Sequence, residues 1–382
     1  MDELHISYSG NTAQCDCITG LAAIDPGITV ISRSMRSRRS TFVLDNGVTA
    51  IGVSNINWNK QTFYLSIIPG QIRELFAAVR RSKRRKVVIL SHNLPIFVAL
   101  PILLTKVVFR RRRITWVAYL IDSVVYSAPG IMGRISRLSE KLIKGVDGII
   151  TYVPHSATDY RPDLPYAQVY FAIDEEYMAL YRQPRPSRTA GERIIAYTGA
   201  LTDLYGLDRI AACIELTKDT YTWVFAGSGQ HADSLQRLAS SDLYNVDFRG
   251  VLGRTDTIEV QRAADLLLCI RGTDMSPEHQ YQQRYAASAK INEYLASGTP
   301  ILTTDIDAIP EELKQFCERM PSRDTSPERI LAAVEAALDS TRADEVRVRA
   351  EAGQRFAFEH FTLDANNRTI ASYLTTLSEL EP

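Results

Sequence analysis

The chain has 382 residues, 45% of them hydrophobic and 23% charged, which is ordinary for a soluble globular protein and too long for a single core, so two domains are expected. Its net charge of zero conceals an asymmetry. Residues 1–190 carry 25 Lys+Arg against 14 Asp+Glu (25 − 14 = +11), and residues 191–382 carry 19 against 30 (19 − 30 = −11), so the halves are expected to meet different partners.

The opening stretch, MDELHISYSG, has neither a basic nor an apolar leader pattern, and five scattered cysteines argue against a disulfide framework. A reduced, cytoplasmic protein is the expectation. Strands are predicted at 5–9, 28–32, 86–91, 114–121 and 148–153, then at 193–199, 222–228, 246–250, 266–270 and 300–305. Helical patterns such as PGQIRELFAAVRRS, GRISRLSEKLIKGV, HADSLQRLAS and PERILAAVEAALDS lie between them. Near-continuous Val/Ile/Leu strands alternating with helices predict an α/β protein with parallel sheets covered on both faces. The apolar run from Leu94 to Leu104 contains Pro95 and Pro101 and is too short for a membrane span. The pattern lapses in YRQPRPSRTAGE, giving domains at 1–180 and 193–362, a linker at 181–192 and a last helix at 363–382 packing back on the first domain.

Candidate functional residues lie where strands end, because open α/β sheets bind ligands at the carboxyl ends of their strands. Gly199 ends the first strand of the second half, and Gly227 and Gly229 form a Gly-x-Gly turn before a helix, where backbone amides can approach an anion. Tight turns use glycine without any ligand as well. Residues 271–289 read as a long polar loop carrying Arg271 and Arg284, followed by Lys290 and Glu293 on one face of a short helix. A carboxylate able to take two sugar hydroxyls beside cations able to take phosphates suits a nucleotide-sugar, whereas a surface Lys–Glu pair is the plainer alternative. In the first half, Gly10 and Asn11 follow the first strand on the acceptor side, His92 follows the third and Asp122 ends the fourth.

From GALTDLYGLDRI through FAGSGQHADSL to KINEYLASGTPILTTDIDAIPE, the chain resembles the donor half of retaining GT-B glycosyltransferases, specifically glycosyltransferase family 4 (group 1). The resemblance covers most of 193–315 and is most specific at EYLASGTPILTTD. It implies two doubly wound, Rossmann-like domains facing across a cleft. It also implies that Glu293 holds the ribose hydroxyls, that Lys290 lies near the diphosphate, and that His92 lies near the transferred sugar. Asp122, at another carboxyl strand end, is a further catalytic candidate by position, with an N-cap of the next helix as the plainer alternative. It implies neither a metal nor another cofactor. Three family positions differ: a second glutamate falls at Tyr285, and the usual Arg and Lys fall at Ala200 and Tyr205. Arg271, Arg284 and Lys290 are the candidates to replace those cations.

Two basic clusters, from Arg80 to Lys86 and from Arg110 to Arg113, run directly into strands and so lie at their amino ends, away from a substrate cleft. They suit an anionic membrane surface, each cation adding about 1 kcal/mol; a solvated basic face is the alternative, and no nucleic-acid module is recognised. The expected function is transfer of a hexose-type sugar from a nucleotide-sugar to a lipid-linked saccharide in bacterial surface-polysaccharide assembly, on the inner face of the cell membrane. A nucleotide-sugar epimerase of the same architecture and a non-catalytic membrane-associated scaffold are the rivals.

Overall fold

The computed structural model describes residues 18, 20, 29–33, 40–43, 49–53, 60–82, 86–94, 96–120, 141–186, 191–272 and 277–379. Candidates Gly10, Asn11 and Asp122 lie outside them, as do the strand expected at 5–9, Lys83–Arg85 of the first basic cluster and most of the helix expected at GRISRLSEKLIKGV.

The chain divides into two compact units, one running to Val169 and resuming at Leu363, the other spanning Tyr170–Thr362. The division therefore precedes the expected 181–192 linker, because Glu175–Tyr181 forms a helix whose Met178 and Tyr181 are buried in the second unit's core.

In the first unit, β1 (Thr29–Arg33), β3 (Thr49–Val53) and β2 (Ser40–Val43) form one sheet, in which β2 runs antiparallel to β3. That pairing departs from the wholly parallel sheet expected. The second sheet is parallel, in the order β4 (Lys86–His92), β5 (Arg113–Leu120), β6 (Gly148–Thr151), β7 (Tyr166–Gln168). Helix α1 (Lys60–Arg81) and helix α2 (Ile96–Val108) pack together beside it. Trp116, Ala118 and Leu120 alternate along β5 into a core shared with Ala99 and Ile102 of α2. Among the described residues no helix is long and apolar enough to cross a membrane.

The second unit holds one six-stranded parallel sheet: β10 (Val246–Phe248), β9 (Thr222–Ala226), β8 (Ile194–Thr198), β11 (Leu266–Cys269), β12 (Ile301–Asp305), β13 (Glu318–Pro321). Side chains alternate across a strand, and here the alternation feeds two cores. Ile195, Tyr197, Leu266 and Leu268 face one side, with helices α4 (Leu207–Thr217) and α9 (Pro327–Ala337); Ala196, Leu267 and Cys269 face the other. That second face is covered by α3 (Glu175–Tyr181), α6 (Arg254–Ala263) and α8 (Ala289–Ser297). Helix α5 (Ala232–Ala239) follows β9, α7 (Pro277–Tyr285) follows β11, and α10 (Ala343–His360) lies against α8. The expected loop at 271–289 thus contains a helix that its polar sequence, without an apolar stripe, concealed.

Helix α11 (Leu363–Glu379) belongs to the first unit. Its Tyr373 hydroxyl accepts from the Ile149 amide at 2.8 Å and donates to the Pro165 carbonyl at 2.6 Å, and it crosses Gly148 where a Cβ would strike Leu377.

Candidate nucleotide-sugar site

Helix α8 begins after Ser288 and ends on Gly298, whose φ of +68° is the left-handed conformation that closes helices. Its apolar stripe, Ile291, Tyr294 and Leu295, is buried, as the spacing predicts. Glu293 lies in the middle of the helix rather than its last turn, so the macrodipole opposes its charge little. It is 32% exposed and stands 3.8 Å from Arg254, the first residue of α6. Burial raises the Glu293 pKa, while Arg254, a hydrogen bond from Gln261 and Lys290 act in the opposite direction. Gln261 is itself fixed: it accepts from the Tyr181 hydroxyl at 2.8 Å and donates to Thr198 Oγ1 at 3.0 Å. The ion pair of Glu293 is therefore with Arg254, not with Lys290 as a surface Lys–Glu pair would have it.

Lys290, one turn earlier, points to the other side. Its Nζ is buried, lies 3.6 Å from the centroid of the Tyr197 ring and 4.3 Å from that of Tyr205, and has no hydrogen-bond partner among the described residues. Burial lowers its pKa to about 7. Gly199, with φ +127°, leaves the room: a Cβ there would come within 3.1 Å of Lys290 Cε and Nζ. Arg271, 2% exposed beyond the end of β11, sets its guanidinium carbon 4.8 Å from the Tyr205 centroid. Arg284, by contrast, is tied to Asp307 and lies over Tyr285, so its charge is partly neutralised. The sequence reads Asp305-Ile306-Asp307, a spacing that metal sites use. Here Asp305 pairs with Lys314 and Arg319, and Asp307 with Arg284.

The glycines of the β9–α5 turn have a structural reason first. A Cβ on Gly227 would stand 1.8 Å from the Gly199 carbonyl oxygen, and one on Gly229 2.4 Å from that of Leu201. The Gly199 and Gly227 amides already donate to the carbonyls of Ala226 and Gly250. The turn thus packs backbone on backbone against the loop after β8, and glycine is required by that approach.

In the first unit His92 ends β4, edge-on to Tyr119 with ring centroids 6.2 Å apart, and burial lowers its pKa to about 4. Asn93 follows at φ +54° and donates its amide to the Tyr119 carbonyl. Lys86 and Arg113 begin β4 and β5, so these parts of both basic clusters lie at the opposite strand ends from His92. Arg80, Arg81, Lys86, Arg110 and Arg111 are exposed. Arg112 is not a solvated cation: it donates to the carbonyls of Val79 and Ser82 and caps α1.

Arg254, Gln261 and Tyr197 are the residues that sequence reasoning missed. A cation opening a helix, against the macrodipole, is the one signal for Arg254; Tyr197 lies within a predicted strand and Gln261 within a helix of mixed polarity, with nothing local to set either apart.

Solved structures share this fold over nearly the whole chain. UDP-bound HepE from Anabaena is 14% identical with a TM-score of 0.65, the match covering 97% of this chain and 96% of that one. The sucrose-phosphate synthase of Thermosynechococcus elongatus is 14% identical with a TM-score of 0.63 over 96% and 93%. WaaG, a glycosyltransferase involved in lipopolysaccharide biosynthesis, is 15% identical with a TM-score of 0.62 over 98% and 97%. The chain has the GT-B fold of two Rossmann-like α/β domains. Residues 192–340, all within the second unit, match the family model of glycosyl transferases group 1. No curated protein matches the chain in sequence.

Proposed function

We propose that the protein is a nucleotide-sugar-dependent glycosyltransferase whose second unit holds the donor. The observation that carries this reading is Glu293: within the segment that matches group 1 transferases, it is a partly exposed carboxylate oriented by Arg254 and Gln261, one turn from a buried cation. A carboxylate so held accepts from two vicinal hydroxyls, which suits a ribose. Lys290, in the first turn of α8, and Arg271, beyond the end of β11, would face a diphosphate. Transfer develops negative charge on that leaving group, and fixed cations stabilise it without reorganising. Retention, a hexose-type sugar and catalysis without a metal extend this reading, with His92 beside the transferred sugar. His92, neutral above about pH 4, would act there as a hydrogen-bonding group rather than a cation.

For the acceptor, we infer a lipid-linked saccharide of bacterial surface-polysaccharide assembly, met at the inner membrane face. The support is the exposed cations Arg80, Arg81, Lys86, Arg110 and Arg111, together with exposed Val107 and Val108 at the end of α2.

The test is transfer of radiolabelled sugar from UDP-, GDP- and ADP-sugars to a lipid-linked saccharide extract, with parallel product analysis lacking acceptor. Acceptor-dependent labelling lost in Glu293→Ala supports the reading. Turnover of donor without acceptor indicates an epimerase. Failure to bind any nucleotide-sugar leaves the scaffold reading in its place.

A further inference from the structure

We propose that Tyr205 is a positioning residue that gathers Lys290 and Arg271 into a two-cation seat for a diphosphate, an inference resting on the nucleotide-sugar reading above. Lys290 Nζ and the Arg271 guanidinium both lie within 5 Å of the Tyr205 ring centroid, at 4.3 and 4.8 Å. Lys290 also stands over Tyr197, whose ring is held by its hydroxyl donating to the Ala200 carbonyl at 2.6 Å.

Two like charges beside one ring is a costly arrangement. The cations repel one another, and among the described residues neither has a carboxylate ion-pair partner. Lys290 Nζ and Arg271 Nε are buried with no hydrogen-bond partner there. The negative faces of tyrosine rings hold a cation but accept none of its N–H bonds in the way an anion does, and unsatisfied buried donors of this kind call for a specific explanation. An oxyanion supplies both missing elements, charge and acceptors. Arg271 follows the end of β11, and Lys290, from the first turn of α8, lays its ammonium against Gly199 after β8; β8 and β11 pair directly in the sheet. Arg284, paired with Asp307, is left out of the seat. Two cations on one ring match the charge and span of two linked phosphates better than those of a single carboxylate.

The experiment is calorimetric titration of the full chain with inorganic pyrophosphate, alongside thermal unfolding of each variant to show that it is folded. Tyr205→Leu is expected to weaken pyrophosphate binding about tenfold, the effect of losing a desolvated cation–π contact. Tyr205→Phe, which keeps the ring and drops only the hydroxyl, is expected to bind within about twofold of the parent. Wild-type affinity in Tyr205→Leu overturns the inference, as does a wild-type chain that does not bind pyrophosphate. Should Tyr205→Leu fail to fold, Lys290→Gln and Arg271→Gln take its place, and unchanged affinity in either overturns the seat. Pyrophosphate binding that depends on Tyr205 in a chain that transfers no sugar upholds the seat and removes the transferase reading. Sugar transfer with a Tyr205-independent affinity does the reverse.

Discussion

Glu293 and Arg254 meet at 3.8 Å across two helices, and the contact explains an otherwise unfavourable feature of each. Arg254 opens α6, where the helix dipole disfavours a cation, yet its guanidinium lies over the Tyr177 ring at 4.3 Å and 3.8 Å from Asp174. Glu293 is a carboxylate whose burial costs free energy, and Arg254 lowers that cost without exhausting its acceptor capacity.

Replacing Glu293 with Gln should separate stability from binding. The folded-state pKa is raised, so the stability linked to this group is fully present below the ordinary carboxylate range and is lost as pH rises through the folded value. At pH 7.5 the ionised side chain is therefore a liability, and Glu293→Gln is expected to be more stable than the parent. The gain should vanish near pH 4. Nucleotide-sugar affinity should fall by about 1–3 kcal/mol in the same variant. Urea unfolding at both pH values and donor titration check the pair; equal donor affinity would sink the ribose assignment.

Lys290 titrates in the opposite sense. Burial, with help from Arg271, depresses its pKa from 10.5 to about 7, against the opposing fields of Cys269 and Glu293. Below pH 7 both folded and unfolded states are charged and the folded state bears the whole cost; between 7 and 10.5 only the unfolded state keeps the proton, so stability rises with pH across that window. Lys290→Met should accordingly stabilise the chain most at pH 6, on the order of 2 kcal/mol, and not at all above pH 10.5. A bound diphosphate favours the ammonium, so nucleotide affinity should fall as pH climbs from 7 to 9 in the parent and stay flat in Lys290→Met. Calorimetry across that range decides it.

Gly227→Ala should act on the fold itself. The new Cβ would stand 1.8 Å from the Gly199 carbonyl oxygen at a φ of +145°, and the neighbour is backbone that cannot turn aside. A loss of about 3 kcal/mol or more is expected. Gly250→Ala, at φ +61° with nothing within 4 Å of the new atom, should cost only about 1 kcal/mol. Chemical unfolding of both variants compares crowding with backbone strain alone.

Exchanging Arg110 and Arg111 together for Ser should weaken binding to anionic vesicles by roughly 2 kcal/mol, about thirtyfold, and leave donor affinity unchanged. Arg112 is kept because it caps α1 through Val79 and Ser82. Cosedimentation with vesicles of rising anionic lipid content measures the effect, and unchanged binding would reject the membrane surface.

The sequence by itself determined the βα rhythm, since an all-apolar strand bounded by turn residues has few alternatives. The five strands β8, β9, β10, β11 and β12 of the second unit fall within their predicted spans, and the stripe Ile291, Tyr294, Leu295 is buried as its spacing requires. It also singled out Glu293 and Lys290, because an acid and a base on a helix that must cover a sheet are visible as exceptions to the apolar pattern. Short or polar elements were not legible: β2, β7 and β13 have three or four residues, and α7 carries almost no apolar face, so neither periodicity rises above its surroundings. Tertiary structure alone decided the partners. Arg254 reaches Glu293 from 39 residues away, Arg271 from the end of β11 and Lys290 from α8 meet over Tyr205, and Gly227 touches Gly199 across adjacent loops. Contacts of that kind are set by strand order in the sheet. A charged side chain's partner depends on which strand ends become neighbours, and no local pattern in the chain encodes it.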